Sequence, residues 1–320
     1  MNKMNTYILK RLLAAIPVMI GVSLLAYSLL YIAPGDPAEI LLRQQYGVTD
    51  PDPEIIEEFK EKHGFNNPIY IQYGMWLHSV MSGNMGTSFR TGRPVLEEFT
   101  ARFPSTLQLA ITAELLALIV AVPLGIISSR RHNSKLDHVL RFSALIGVSM
   151  PSFWLSLLLM LIFSLYLGWI PVLSYGSEKS LVLPVIALGV ASAASLMRLT
   201  RASMLEVLRQ NYIRTARAKG AKESSVVWNH AFRNAMIPVL TILGIHLAHL
   251  LGGAVIVETI FSWPGVGRFL VDSIYARDFP VIQGFVFIIS LLYVIVNLAV
   301  DIAYALLDPR IRYDIPKAVR

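Results

Sequence analysis

A chain of 320 residues in which 55% of side chains are apolar and 15% charged is too greasy for an ordinary soluble domain, where about a quarter of residues carry charge. The absence of cysteine excludes disulfides and thiol chemistry, so packing alone must hold the fold. The net charge of +7 would suggest an anionic partner, but its distribution gives it another meaning.

Uninterrupted neutral runs cover Leu12–Gly35, Phe142–Ser177, Ser180–Met197, Asn234–Val257 and Phe279–Val300, and a sixth, Phe103–Ser129, is broken only by Glu114. A helix rising 1.5 Å per residue crosses a bilayer in about 20 apolar residues, so the runs predict an all-α membrane protein with six transmembrane helices. With both termini inside, the segments 1–11, 130–141, 198–233 and 308–320 hold 19 basic and 5 acidic residues, whereas the outer segments hold 9 and 13. That asymmetry predicts an N-in, C-in topology and makes the positive charge a property of the inner face, facing anionic lipid and requiring no nucleic acid.

The first helix is expected over roughly 8–33, ending before Pro34-Gly35-Asp36-Pro37, and it reads as retained because its apolar run is too long for a signal peptide. An extracytoplasmic lobe over 34–104 follows. Within it Asp52-Pro53 and Gly64 bracket an amphipathic helix, Pro53–His63, with Ile55, Ile56 and Phe59 on one side. The core, 105–320, carries helices two to six. Helix two, about 106–129, places Ala113, Ala117, Ala121 and Gly125 at i,i+4 spacing, which lets backbones approach closely. Helix three, within 140–167, should bend at Pro151 or split there from a short inner helix. Helix four occupies about 181–197. Helix five, about 235–257, repeats the small-residue stripe with Gly244, Ala248 and Gly252, and helix six spans about 281–307. Trp154, Tyr166, Trp169 and the Phe261–Phe269 turn suit an aromatic interface belt, with core packing an equal reading for Trp154.

Between helices four and five lies YIRTARAKGAKESSVVWNHAFRNAMIP, residues 212–238. Arg214 and Arg217 sit at i,i+3, Gly220 interrupts the helical pattern, and Trp228 and Phe232 follow at i,i+4. Two short helices meeting at a glycine form an elbow, with small and aromatic residues on one side and cations at its ends. Lipid anchoring alone requires none of that; a groove in a soluble protein would use an aromatic anchor and desolvated arginines. The stretches YIRTARAKGA and HAFRNAMIP resemble the EAA loop of binding-protein-dependent ABC importers, in the form carried by the dipeptide, oligopeptide and nickel permeases. Arg214, Thr215 and Ala216 stand at the three-letter position, Gly220 at the glycine, and Pro238 at the spacing of the peptide branch. Leu9–Pro37, NMGTSFRTGRPV (84–95), RFPSTLQL (102–109), FSWPGVGR (261–268) and DFPVIQG (278–284) resemble the first permease subunit of the same family.

The resemblance implies a type I importer permease in a bacterial or archaeal inner membrane, paired with a homologous second permease, two ATP-binding subunits and an extracytoplasmic substrate-binding protein. It makes the loop 209–233 an ATPase-coupling element, with Arg214, Ala216, Arg217, Gly220 and Trp228 as coupling residues. It implies peptide cargo, with nickel or a metal chelate as the alternative. ATP and magnesium would be bound by the partner subunits: this chain has no Gly-Lys pair and therefore no Walker A loop, and no enzymatic constellation. The lobe and the Phe261–Asp278 loop would share in docking the binding protein.

Six helices cannot enclose a polar solute, so the path is expected against the sister subunit, along the small-residue faces of helices two, four and five. Glu114, His246 and His249 are candidate path residues, the two histidines being close enough at i,i+3 to face one another. Glu114, Glu258 and Asp301 lie in or near hydrocarbon and need partners: a hydroxyl for Glu114, an inner-face arginine for Asp301. A proton-coupled secondary transporter, using those carboxylates as relays, is the rival class.

Overall fold

The computed structural model describes residues 3–32, 35–47, 51–171 and 178–307. The inner segment 308–320 and the step at 33–34 lie outside them.

Helix α1 (Lys3–Ile32) is the first span. Helix α2 (Pro37–Tyr46) follows, capped by the Asp36 carboxylate on the Ala38 N–H at 2.9 Å. The lobe continues with α3 (Pro53–His63), begun by Asp52 and closed by Gly64 at φ +75°, as the bracketing residues require. Phe59 of α3 packs on Ala38 and Leu42 of α2, while Ile55 points to solvent. An apolar helix α4 (Ile69–Met81) completes it.

Helix α5 (Val95–Arg130) runs 36 residues, starting eight before the neutral run Phe103–Ser129, with Glu97 and Glu98 in its first turn. The third span is broken: α6 (Lys135–Ser149) ends at Met150-Pro151, and α7 (Ser152–Leu159) leaves it at 101° before a π-helical stretch, Met160–Tyr166. Proline at 151 has no N–H to continue α6 and sits where the new helix needs none. Trp154 is exposed, as are Tyr166 and Trp169, in keeping with an interface belt rather than a core.

Helix α8 (Val182–Leu208) packs along α5 in the most extensive contact of the molecule. The small-residue stripe makes this possible: Ala113, Ala117 and Ala121 are fully buried, and a Cβ added at Gly125 would lie 2.7 Å from Thr200 Cβ and 2.9 Å from the Met197 carbonyl. The stripe is therefore spent inside the subunit and does not line a path, which corrects the expectation for helices two and four. The second stripe is used the same way. In α11 (Phe232–Gly253), a Cβ at Gly244 would meet Val300 of α14 (Phe279–Leu307) at 2.4 Å, and Ala248 is buried.

Between α8 and α11 come α9 (Asn211–Ala218) and a single helical turn, α10 (Glu223–Ser225), which passes into a π-helical segment, Val226–Ala231. After α11, α12 (Val255–Ile260) and α13 (Val266–Tyr275) form the outer connection to α14. Its Trp263 is not a belt residue: it is buried, and its indole N–H donates to the Ser105 carbonyl at 2.9 Å. Among the described residues, five helices are long and apolar enough to span a membrane, and the bent α6–α7 pair makes six.

Candidate coupling elbow and path residues

The elbow stands on buried apolar side chains. Ile213 of α9 and Val226, Val227 and Ala231 of the π segment are fully buried against Leu196 and Met204 of α8 and Val239 of α11. Those anchors leave the opposite side free. Arg214, Arg217, Lys219, Gly220 and Lys222 are exposed, Ala216 is half-buried, and Trp228 is 52% exposed with its ring 5.3 Å from that of Phe232.

Gly220 makes the bend. Its φ is +79°, its N–H donates to the Arg217 carbonyl at 2.9 Å, and nothing lies within 4 Å of an added Cβ. The constraint is therefore backbone conformation and not room. An L-residue in that left-handed region costs roughly 1–2 kcal/mol. Arg217 braces the bend: its Nη2 and Nε donate to Glu223 at 2.8 and 3.1 Å across the glycine, and that bond raises the Arg217 pKa further. Of the five coupling residues expected, Arg214, Ala216, Gly220 and Trp228 lie on the open side of the bend, and Arg217 holds its angle.

A buried ionic clamp missed by sequence reasoning fixes the elbow's root. Asp137, fully buried at the start of α6, accepts from Arg201 Nε and Nη2 of α8, both at 2.7 Å, from Ser128 Oγ of α5 at 2.5 Å and from the Asn133 N–H at 2.9 Å. Arg201 Nη2 also lies 3.1 Å from His132 Nδ1, which is itself 3.8 Å from Asp137 Oδ2. Four donors occupy the lone-pair positions of one carboxylate and bind α5, α6 and α8 to one another at the inner face.

At the outer end a second network pins the quoted motifs together. Thr106 Oγ donates to Glu258 Oε1 at 2.6 Å, and the Arg268 N–H to Oε2 at 3.0 Å. Ser88 Oγ donates to Asp278 at 2.6 Å, and Arg102 lies 3.6 Å over the Phe269 ring. Glu258 is thus structural, as is Asp301, whose carboxylate meets Arg11 at 3.0 Å.

The candidate path residues separate. His246 turns from α11 toward α5, its Nδ1 3.5 Å from Glu114 Oε1, while His249 is exposed with its ring 6.0 Å from that of Tyr293 on α14. The histidines do not face each other because they serve different neighbours, and Glu114 meets an imidazole rather than a hydroxyl. Glu114 is 4% exposed, and neither of its oxygens has a hydrogen-bond partner among the described residues.

Known proteins share this architecture. The fold matches the MetNI methionine ABC transporter in its inward-facing form (TM-score 0.56, 17% identity, 67% of this chain and 97% of that one). It also matches an amino acid ABC transporter crystallised with histidines (TM-score 0.50, 19% identity, 67% of this chain and 94% of that one). In sequence, the chain is 40% identical to the dipeptide transport system permease protein DppB of Alkalihalophilus pseudofirmus and 42% to the oligopeptide transport system permease protein AppB of Bacillus subtilis. It is also 42% identical to the glutathione transport system permease protein GsiC of Salmonella choleraesuis, each match covering 97% of this chain and all of the relative. The elbow and the bundle around it fall within a family match over residues 121–313, and α1 with the lobe falls within its N-terminal companion over 4–110. The chain belongs to the family of binding-protein-dependent transport system inner membrane components.

Proposed function

We propose that this chain forms half of the translocation path of an ATP-driven importer for short peptides, completed by a sister permease, two ATPase subunits and an extracytoplasmic binding protein. The observation that carries the reading is the elbow: a braced, glycine-hinged projection with an exposed tryptophan, rooted in buried side chains of α8 and α11. A groove on an ATPase subunit that took Trp228 and Arg214 would move α11 directly, because no slack residue separates the π segment from α11. The dipeptide, oligopeptide and glutathione names of its relatives support peptide cargo.

Reconstitution tests both halves of the proposal. The chain alone should move no solute under a pH gradient, and with its partners it should import peptide only with ATP. Gly220→Pro fixes φ near −65° where +79° is needed and deletes the bond to Arg217, so it should insert normally yet fail to hold or drive the ATPases. Normal co-purification of the ATPases together with normal uptake by that variant would overturn the coupling role. Competition of uptake by dipeptides, glutathione and nickel separately tests the cargo.

A further inference from the structure

Two ion-paired residues give the membrane level of the helices that carry the lobe. Arg11 of α1 and Asp301 of α14 meet at 3.0 Å, and Arg11 is the first residue of the apolar span of α1. Twenty residues outward from that level, about 30 Å at 1.5 Å per residue, stand Tyr31 on α1 and Val281 on α14. The two helices agree on this scale, since Gln283 Nε2 donates to the Tyr27 carbonyl at 3.4 Å, two residues inward on α14 and four on α1.

Against that scale α4 does not lie outside the bilayer. Its Tyr73 hydroxyl hydrogen-bonds Ser23 Oγ at 2.7 Å, and Ser23 is eight residues below Tyr31, a depth of about 12 Å. The Trp76 ring stands edge-on to Phe287 with centroids 6.3 Å apart, and Phe287 is six residues below Val281, about 9 Å deep. The composition agrees: IYIQYGMWLHSVM contains no Asp, Glu, Lys or Arg. Gln72, which would be costly in hydrocarbon, is buried and donates to the Phe65 and Asn67 carbonyls at 2.9 and 2.7 Å. Met75 turns the other way, beside Gly64 of the lobe. Tyr70, Gly74, Leu77 and Met81 then form a stripe flanking Tyr73 at i, i+4, i+7 and i+11, with Tyr70 71% and Met81 75% exposed.

We propose that α4 is a membrane-embedded helix of the outer leaflet, and that acyl chains cover its Tyr70–Met81 stripe. That surface continues the exposed apolar side of α1, where Leu25 is 68% exposed. The lobe would then be held by the bilayer as well as by α1 and α14. This inference rests on the membrane span and not on the peptide cargo or the coupling elbow.

The chain has no cysteine, so single replacements report cleanly. Tyr70→Cys, Met81→Cys and, on the exposed surface of α3, Glu58→Cys would be made in the complete importer in lipid membranes. Each would be treated with a charged, impermeant maleimide and separately labelled with an NBD fluorophore in bilayers containing doxyl lipid. Immersion keeps a thiol protonated and out of water, so the two α4 sites should react roughly tenfold or more slowly than Glu58→Cys. Their NBD emission should be quenched by doxyl lipid, and that of Glu58→Cys should not. Reaction at the Glu58→Cys rate would mean an aqueous surface and overturn the proposal. Protection without doxyl quenching would mean that protein covers the stripe, and would overturn it equally.

Discussion

Replacing Arg201 by methionine keeps most of the side-chain length and deletes the charge from the clamp at the elbow's root. The Asp137 carboxylate is fully buried and the Arg201 side chain 14% exposed, so the variant would leave a buried acid with two of its four donors and without its guanidinium counter-charge. Removing one partner of a buried pair costs about 3–5 kcal/mol. The Arg11–Asp301 bridge is the internal comparison: with its side chains 51% and 25% uncovered by protein at the inner edge of the spans, Asp301→Asn should cost less than Arg201→Met. Unfolding of the purified subunit by SDS in mixed micelles measures both. Because Asp137 and Arg201 act as a unit, Asp137→Asn combined with Arg201→Met should lose much less than the sum of the single variants. The same clamp joins α5 and α6 to the helix that carries the elbow, so Arg201→Met should also loosen the dependence of ATP hydrolysis on the binding protein. An Arg201→Met loss no larger than that of Asp301→Asn, or additivity within about 0.5 kcal/mol, would refute the reasoning.

Other variants test the packing and the lobe. Gly125→Ala would force a Cβ to within 2.9 Å of the Met197 carbonyl and should destabilise by about 1–3 kcal/mol, whereas Gly21→Ala, with open space around it, should be neutral or mildly stabilising; melting in detergent compares them. In the lobe, burial raises the Asp36 carboxyl, but Lys60 and the N–H groups of Ala38 and Glu39 outweigh it and hold the carboxyl below its ordinary value. A depressed carboxyl stabilises the folded form above its unfolded pKa and loses that contribution as pH falls through the lowered one. Protease cleavage within residues 37–63 should therefore rise as pH drops below about 4, and Asp36→Asn should flatten the profile.

The sequence carried the spans, the elbow and the limits of α3, because each leaves a local signature: neutral run length, a glycine between helical stretches, Asp52-Pro53 with Gly64. Helix α2 carries the same start, Asp36-Pro37, and the same stop, Gly47 at φ +69°, and was legible by the rule that found α3. What could not be read was which faces meet. Ala113, Ala117, Ala121 and Gly125 announce close approach, but a small-residue stripe looks the same whether it admits α8 or a solute. The clamp was hidden for a related reason: Arg201 lies 64 residues from Asp137, and Ser128, Asp137 and Arg201 each alone resemble ordinary inner-face polarity. His246 and His249 share a helix yet turn to different neighbours, which spacing of i,i+3 does not decide.

The Glu114–His246 pair offers a direct test between an ATP-driven permease and a proton-driven one. Its members lie 3.5 Å apart with side chains 5% and 20% exposed, in helices that both span the membrane. An isolated charge there costs several kcal/mol, so each of the two facing groups serves as the other's polar partner between α5 and α11. The pair therefore suits a latch between α5 and α11, the helix that follows the π segment of the elbow. Glu114→Gln should destabilise the subunit by leaving His246 without its carboxylate, and Glu114→Gln with His246→Gln should recover part of the loss. Uptake by the double variant, in the assembled complex, should still require ATP and ignore an imposed pH gradient. A relay would behave oppositely: in a secondary transporter Glu114→Gln would abolish gradient-driven uptake by the chain alone, and observing any such uptake in the unmodified chain would replace the latch with a proton path.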